Sequence, residues 1–222
     1  DCGLKVRYLS FDTSTFEFDL SELDALLNDR TRLVCVGGAS NLTGTINDIK
    51  TICAKAREAG AWSFIDAVQS APHIVSDVQD FGCDFFACSA YKFFGPHQGI
   101  LWGRREVLEQ LEPYKVRPAP AELPLSFEPG TQSHEGMAGT AAAVDYIASL
   151  AAGPGDRDRR TRIVTSLSAM VDYEHSLSSQ LVAGLQAIPG VKVQGITNPE
   201  ALSRRVPTVS FTHATHKPND IA

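Results

Sequence analysis

Phe64-Ile65-Asp66-Ala67-Val68-Gln69 and Cys88-Ser89-Ala90-Tyr91-Lys92-Phe93-Phe94-Gly95-Pro96 each begin inside an apolar run and break abruptly into polar and turn-forming residues. Short apolar runs bounded in this way read as strands covered on both faces. The two runs predict strands at 62–65 and 84–88, with Asp66 leaving the first and Ser89 and Lys92 leaving the second. Working outward, further strands are expected at 5–9, 32–36 and 99–102. Between 32–36 and 62–65, the segment 47–60 sets Ile49, Ile52, Cys53 and Ala56 at i, i+3, i+4 and i+7, with Asn47 as N-cap and Gly60 just past the end. That is the stripe of an amphipathic crossover helix. Ser21 followed by Asp24, ahead of Leu26 and Leu27, predicts a short capped helix. Strands alternating with helices imply an α/β fold with a mostly parallel sheet.

Past Trp102 the texture changes. Segment 112–129 contains Pro113, Pro118, Pro120, Pro124 and Pro129 and is expected to run extended, since proline breaks regular helix. Helical periodicity returns at Val144, Ile147, Ala148 and Ala151 and stops near Gly153-Pro154-Gly155. A long helix is expected over about 160–187, then strands at 191–194 and 206–211 belonging to a second, smaller domain. The opening Asp1-Cys2-Gly3 reads as a loop feeding a strand, and Lys217-Pro218-Asn219-Asp220-Ile221-Ala222 as the start of a helix. The expectation is a chain that continues at both ends.

Composition narrows the function classes. At 222 residues, 43% hydrophobic and 21% charged, the chain can bury a substantial core. A formal net charge of -6 offers no broad basic field, so no nucleic-acid partner is implied. No apolar run approaches the roughly 20 residues that span a bilayer, so no membrane partner is implied and a cytoplasmic setting is expected. The cysteines, Cys2, Cys35, Cys53, Cys83 and Cys88, are odd in number and mostly embedded in apolar stretches, which argues against a disulfide framework. His213 and His216 lack a third ligand, and no metal is expected.

In open α/β sheets ligands collect outside the carboxyl ends of the strands. An acid leaving one strand and a hydroxyl and an amine leaving the next therefore converge on one crevice. Such a set suits a cofactor with a ring nitrogen, a phosphate and an aldehyde, which are the groups of pyridoxal 5'-phosphate (PLP).

Asp66-Ala67-Val68-Gln69 and Ser89-Ala90-Tyr91-Lys92, followed by Gly95-Pro96, resemble the cofactor signature of the class V aminotransferases and cysteine desulfurases. Ala39-Ser40-Asn41-Leu42-Thr43-Gly44-Thr45 resembles their Ser-Asn-x-x-Gly loop, and Phe127-Glu128-Pro129-Gly130-Thr131 a segment whose threonine reaches the partner subunit's cofactor phosphate. The resemblance spans nearly the whole chain. It implies the fold type I PLP-dependent transferase, with 1–150 part of the large cofactor-binding domain and 151–222 the linking helix and the beginning of a small α+β domain. It also implies a homodimer with active sites at the interface. Lys92 would carry the cofactor as a Schiff base and act as acid or base at the substrate carbons. Asp66 would pair with the ring nitrogen, Gln69 with the ring hydroxyl and Ser89 with the phosphate. Thr131 would reach the phosphate across the dimer, and Asn41 would lie near ring or substrate. The family's ring-stacking aromatic falls upstream of residue 1, and its substrate-carboxylate arginine and persulfide cysteine downstream of residue 222.

The resemblance implies a PLP-dependent enzyme acting on an α-amino acid, with a cysteine desulfurase-like or C–S lyase reaction first. A class V aminotransferase is second and a β-decarboxylating aldol-type enzyme third. Tyr91 departs from the pattern, since typical desulfurases carry histidine there. Ser89-x-x-Lys92 also satisfies the Ser-x-x-Lys pattern of penicillin-binding proteins, but that motif opens a helix and travels with Ser-Asp-Asn and Lys-Thr-Gly, neither of which occurs here. No Gly-x-Gly-x-x-Gly follows any strand, so nicotinamide binding is not supported. A binding protein on a decayed PLP fold is the non-enzyme alternative, against which the intact Asp66 and Lys92 stand.

Overall fold

A computed structural model describes residues 3–150 and 158–222. A 3-10 turn, Leu20–Glu22, leads into α1 (Leu23–Leu26) and on to β1 (Leu33–Gly37). Asp19 caps the turn by accepting from the Ser21 amide at 3.0 Å, so Ser21 is inside the predicted helix rather than capping it. α2 (Ile49–Glu58) then crosses to β2 (Trp62–Asp66), which pairs parallel with β1. Ile49, Ile52, Cys53 and Ala56 are its buried face, as their spacing requires. Its cap is Asp48, accepting from the Thr51 amide at 3.0 Å, and not Asn47. Asn47 is diverted because its side-chain amide donates to Gly37 O at 2.8 Å, bracing the end of β1.

α3 (Val78–Phe81) lies between β2 and β3 (Phe85–Ser89), which again pair in parallel. β4 (Gly99–Gly103) completes the order β1-β2-β3-β4 but runs antiparallel to β3. The segment 90–98 is too short for the dozen or so residues of a parallel crossover, which fixes that direction. Ile49, Cys53, Ile65, Ala67, Cys83 and Phe86 form the core between sheet and helices.

After α4 (Arg105–Leu108) the proline-rich 112–129 contains no helix beyond the 3-10 turn Leu125–Phe127. α5 (His134–Ser149) starts well before the periodic stretch, because its first turns carry Gly136 and Gly139 in place of large apolar residues. Gly136 lies against the Gln98 side chain and Gly139 packs closely on the Pro96 ring. α6 (Arg159–Gln186) is capped by Asp158. The predicted break at Gly153-Pro154-Gly155 falls outside the described residues. Ala90, Phe93, Ala143, Ile147 and Leu167 make a second core that clamps the turn after β3 beneath α5 and α6.

β5 (Val191–Val193) and β6 (Phe211–His213) form a separate antiparallel pair, with Val182, Val193 and Leu202 as a third cluster, and α7 (Pro218–Ile221) follows. Two expected strands are corrected. Residues 5–9 form none: among the described residues no strand pairs with them, and Leu4, Val6 and Tyr8 are left 73%, 67% and 84% exposed. The strand expected at 206–211 begins only at Phe211, because Val206 donates its amide to Gly44 O at 2.9 Å and Arg205 bridges to Thr45. That backbone pairs with the 39–46 loop instead of a strand.

Candidate active site

The carboxyl ends of the three neighbouring strands β1, β2 and β3 deliver the site. β2 ends on Asp66, which is exposed, and one of its carboxylate oxygens accepts from the Val68 amide at 3.0 Å. Ala67 is fully buried and donates its amide to Ala87 O at 2.7 Å, so the chain turns tightly and presents Gln69 beside the next strand. β3 ends on Ser89, whose side chain makes no capping bond to the 3-10 turn Ala90–Phe93 that follows. In that turn Ala90 and Phe93 are buried and Tyr91 and Lys92 exposed, so the turn is held from below while its amine faces outward.

Lys92 Nζ donates to Gln69 Oε1 at 3.4 Å and stands 5.8 Å from the centre of the Tyr91 ring. Tyr91 stacks on His97 at 5.1 Å. The structure thus brings Lys92 and Gln69 into direct contact and sets Asp66 and Ser89 at the ends of the same two paired strands. Asn41 follows the end of β1, in a loop closed by Gly44 N to Ser40 O at 3.0 Å, and its side chain is exposed. Thr131 is exposed in the segment before α5 and touches none of the others among the described contacts. A primary amine, a carboxylate, an amide and a hydroxyl at one sheet edge form a donor set that fits PLP.

Two contacts had no clear signal in the sequence. Gln69 Nε2 donates to Thr208 Oγ1 at 2.7 Å, across 139 positions. His73 pairs with Glu174 of α6 at 2.9 Å beside a cavity of about 480 Å³ that Arg205 also lines. That cavity shares no residue with the Lys92 corner. Arg205 is 5% exposed and its burial pulls the guanidinium's proton affinity down, yet it keeps two carbonyl partners, Ile196 O at 2.5 Å and Thr208 O at 2.7 Å. The thiols of Cys35, Cys53, Cys83 and Cys88 are all pushed up by burial, so none of them is set up as a thiolate nucleophile.

The family model for the aminotransferase class-V group matches residues 1–222. The chain belongs to that family. Class V enzymes are PLP-dependent, in keeping with the donor set above. The cysteine desulfurase of Yersinia pseudotuberculosis serotype O:1b is 32% identical over 234 residues, covering 100% of this chain and 52% of that protein. The cysteine desulfurase of Yersinia pestis matches at the same 32% and the same shares. The chain spans about half the length of the curated relatives it matches. Among solved structures, the apo cysteine desulfurase of Thermococcus onnurineus NA1 superposes with a TM-score of 0.82 at 27% identity, over 99% of this chain and 53% of that one. A cysteine desulfurase of Escherichia coli gives 0.71 at 25% identity, over 91% and 48%. The class V chain therefore has the expected α/β architecture of fold type I.

Proposed function

We propose that the protein is a PLP-dependent enzyme acting on an α-amino acid, most closely a cysteine desulfurase-like C–S lyase. The observation that carries this reading is the Lys92 amine held at 3.4 Å from Gln69, on the strand edge that also ends in Asp66 and Ser89. The family assignment and the named desulfurase relatives support it over transamination. When bound, PLP supplies an electron sink for negative charge at the substrate carbons.

The chain's own residues prepare that sink. Lys92 is the residue whose Nζ would hold the cofactor, and its amine would serve as acid or base at the substrate carbon. Asp66 would hold a proton on the ring nitrogen, because a neighbouring carboxylate favours the charged ring. Gln69 would donate to the ring oxygen, Ser89 would donate to the phosphate, and Asn41 would orient ring or substrate. Thr131, exposed in the segment before α5, would serve the partner subunit's phosphate in a homodimer whose active sites lie at the interface. Residues 1–150 form the cofactor-binding part, and 151–222 the linking helix and the beginning of the small domain, which the separate β5–β6 pair supports. Among the described residues no helix is long and apolar enough to cross a membrane, and we place the enzyme in the cytoplasm. Among the described cysteines, Cys53 and Cys83 are buried and Cys88 is half-buried, while Cys35 is exposed on β1 with its thiol held in the protonated form by partial desolvation.

The test is an absorbance spectrum of the full-length protein that carries this chain, loaded with PLP and scanned with cysteine, aspartate and alanine, beside Lys92→Ala. A visible band lost in the variant and perturbed by cysteine supports the reading. Perturbation by aspartate with carbon dioxide release favours carbon–carbon chemistry instead, and no band in either protein overturns the enzyme reading.

A further inference from the structure

Gln69 serves two partners at once. Its Oε1 accepts from Lys92 at 3.4 Å while its Nε2 donates to Thr208 Oγ1 at 2.7 Å. Thr208 is itself held from behind. Its carbonyl accepts from the buried Arg205 guanidinium at 2.7 Å, and Val206 donates to Gly44 O at 2.9 Å. A Cβ on Gly44 would stand 2.6 Å from Thr208 O and 2.7 Å from Val206 O, so no slack separates this segment from the 39–46 loop. The hydroxyl of Thr208 is a fixed point against which a catalytic-edge amide is set.

A hydroxyl both donates and accepts. With Thr208 accepting, Gln69 turns its carbonyl to the free lysine amine, which is the arrangement observed. With Thr208 donating to Oε1, the amide is turned over and its NH2 faces the Lys92 side, where it can donate to an anionic oxygen. We propose that Thr208 is a positioning residue for the reaction, its hydroxyl holding Gln69 in either orientation so that one amide serves first the lysine and then the ring oxygen of the bound cofactor. This rests on the PLP reading above. Valine has nearly the same shape as threonine but leaves the amide without its anchor in both orientations.

The experiment uses the full-length, PLP-loaded protein and the variants Thr208→Val, Thr208→Ser, Gln69→Leu and the double Gln69→Leu/Thr208→Val. The readouts are the pH midpoint of the bound cofactor's visible band and the cofactor's Kd. The charged groups of this corner, Asp66, Lys92 and, behind Thr208, Arg205, are unchanged throughout. An amide donating to the ring oxygen favours its deprotonated form, so T208V raises the midpoint by roughly 0.5–1 pH unit and weakens PLP binding about fivefold. T208S stays with the parent, and T208V adds nothing in the Q69L background, as coupled partners require. The proposal is overturned if T208V behaves as the parent, if T208S moves as far as T208V, or if the T208V and Q69L effects simply add. Should T208V fail to fold, Thr208→Ala makes the same comparison. A parent without a visible band takes the PLP reading down and this inference with it, whereas a parent band insensitive to T208V removes only the positioning role.

Discussion

His73 Nδ1 lies 2.9 Å from a carboxylate oxygen of Glu174, tying the turn after β2 to α6 across 101 positions of sequence. The side chains are only 20% and 25% exposed, so this is not one of the solvated surface pairs that contribute little. The turn is the one that carries Gln69, and α6 packs over the turn that carries Lys92. Replacing Glu174 by alanine leaves a shielded ring nitrogen without its acceptor and is expected to cost about 1–3 kcal/mol. Glu174→Gln keeps an acceptor and is expected to cost less than half as much. Urea unfolding of both variants measures this, and equal, negligible losses would show the pair to be solvated.

Asp66 offers a separation of charge from structure. Its carboxylate already accepts from the Val68 amide at 3.0 Å, a bond that the carbonyl oxygen of asparagine can retain. Asp66→Asn is therefore expected to leave unfolding within about 0.5 kcal/mol of the parent. It removes the charge proposed to hold the proton on the ring nitrogen, and turnover is expected to fall by about 10²–10⁴-fold. Steady-state kinetics beside a thermal melt separates the two, and full activity in a folded variant would remove Asp66 from the site.

Gly44 sits at φ +77°, with two carbonyl oxygens under 3 Å from where a Cβ would lie. Alanine there must adopt a left-handed backbone and push back the 206–208 segment at the same time. Gly44→Ala is expected to cost about 2–4 kcal/mol, beyond the usual range for a surface loop. Guanidinium unfolding tests the size of the loss. An unchanged midpoint would mean that the loop and the 206–208 segment separate easily, which would also weaken the anchoring of Thr208.

What the sequence made legible was local. Asp66, Ser89 and Lys92 could be placed because an apolar run breaking into polar residues marks a strand end wherever the strand sits in the sheet. The stripe of α2 worked for the same reason, while its cap was misplaced by one position because Asn47 and Asp48 are both capping types and only the fold shows that Asn47 is spent on Gly37. An apolar run at 5–9 or 206–211 shows that a strand is possible but not that a partner strand exists, and in neither place does the backbone find the one expected. The Thr208–Gln69 contact was out of reach altogether. It depends on where the fold returns a segment 139 positions away, and a threonine in a Pro-Thr-Val run has no local mark of that role.

Cys83 gives a pH dependence whose sign is fixed by its surroundings. The side chain is fully buried, and its thiol is pushed up from 9.0 to about 11, chiefly by desolvation and then by the neighbouring Cys53. Cys53 is raised for the same leading reason. A group whose folded value lies above its unfolded value binds its proton more tightly in the native state, so the native state gains from it below pH 9 and loses that gain as pH climbs toward about 11. Urea midpoints are expected to be flat up to about pH 8 and to decline near pH 10.5. In Cys83→Ala the midpoint starts lower, by about 1 kcal/mol for the small void, but the alkaline decline is shallower. Iodoacetamide should spare Cys83 in the folded protein and label it on unfolding. An alkaline slope identical in parent and Cys83→Ala would assign the loss to other groups, and rapid labelling of native Cys83 would show that the core between β2, β3 and α2 opens far more often than its burial implies.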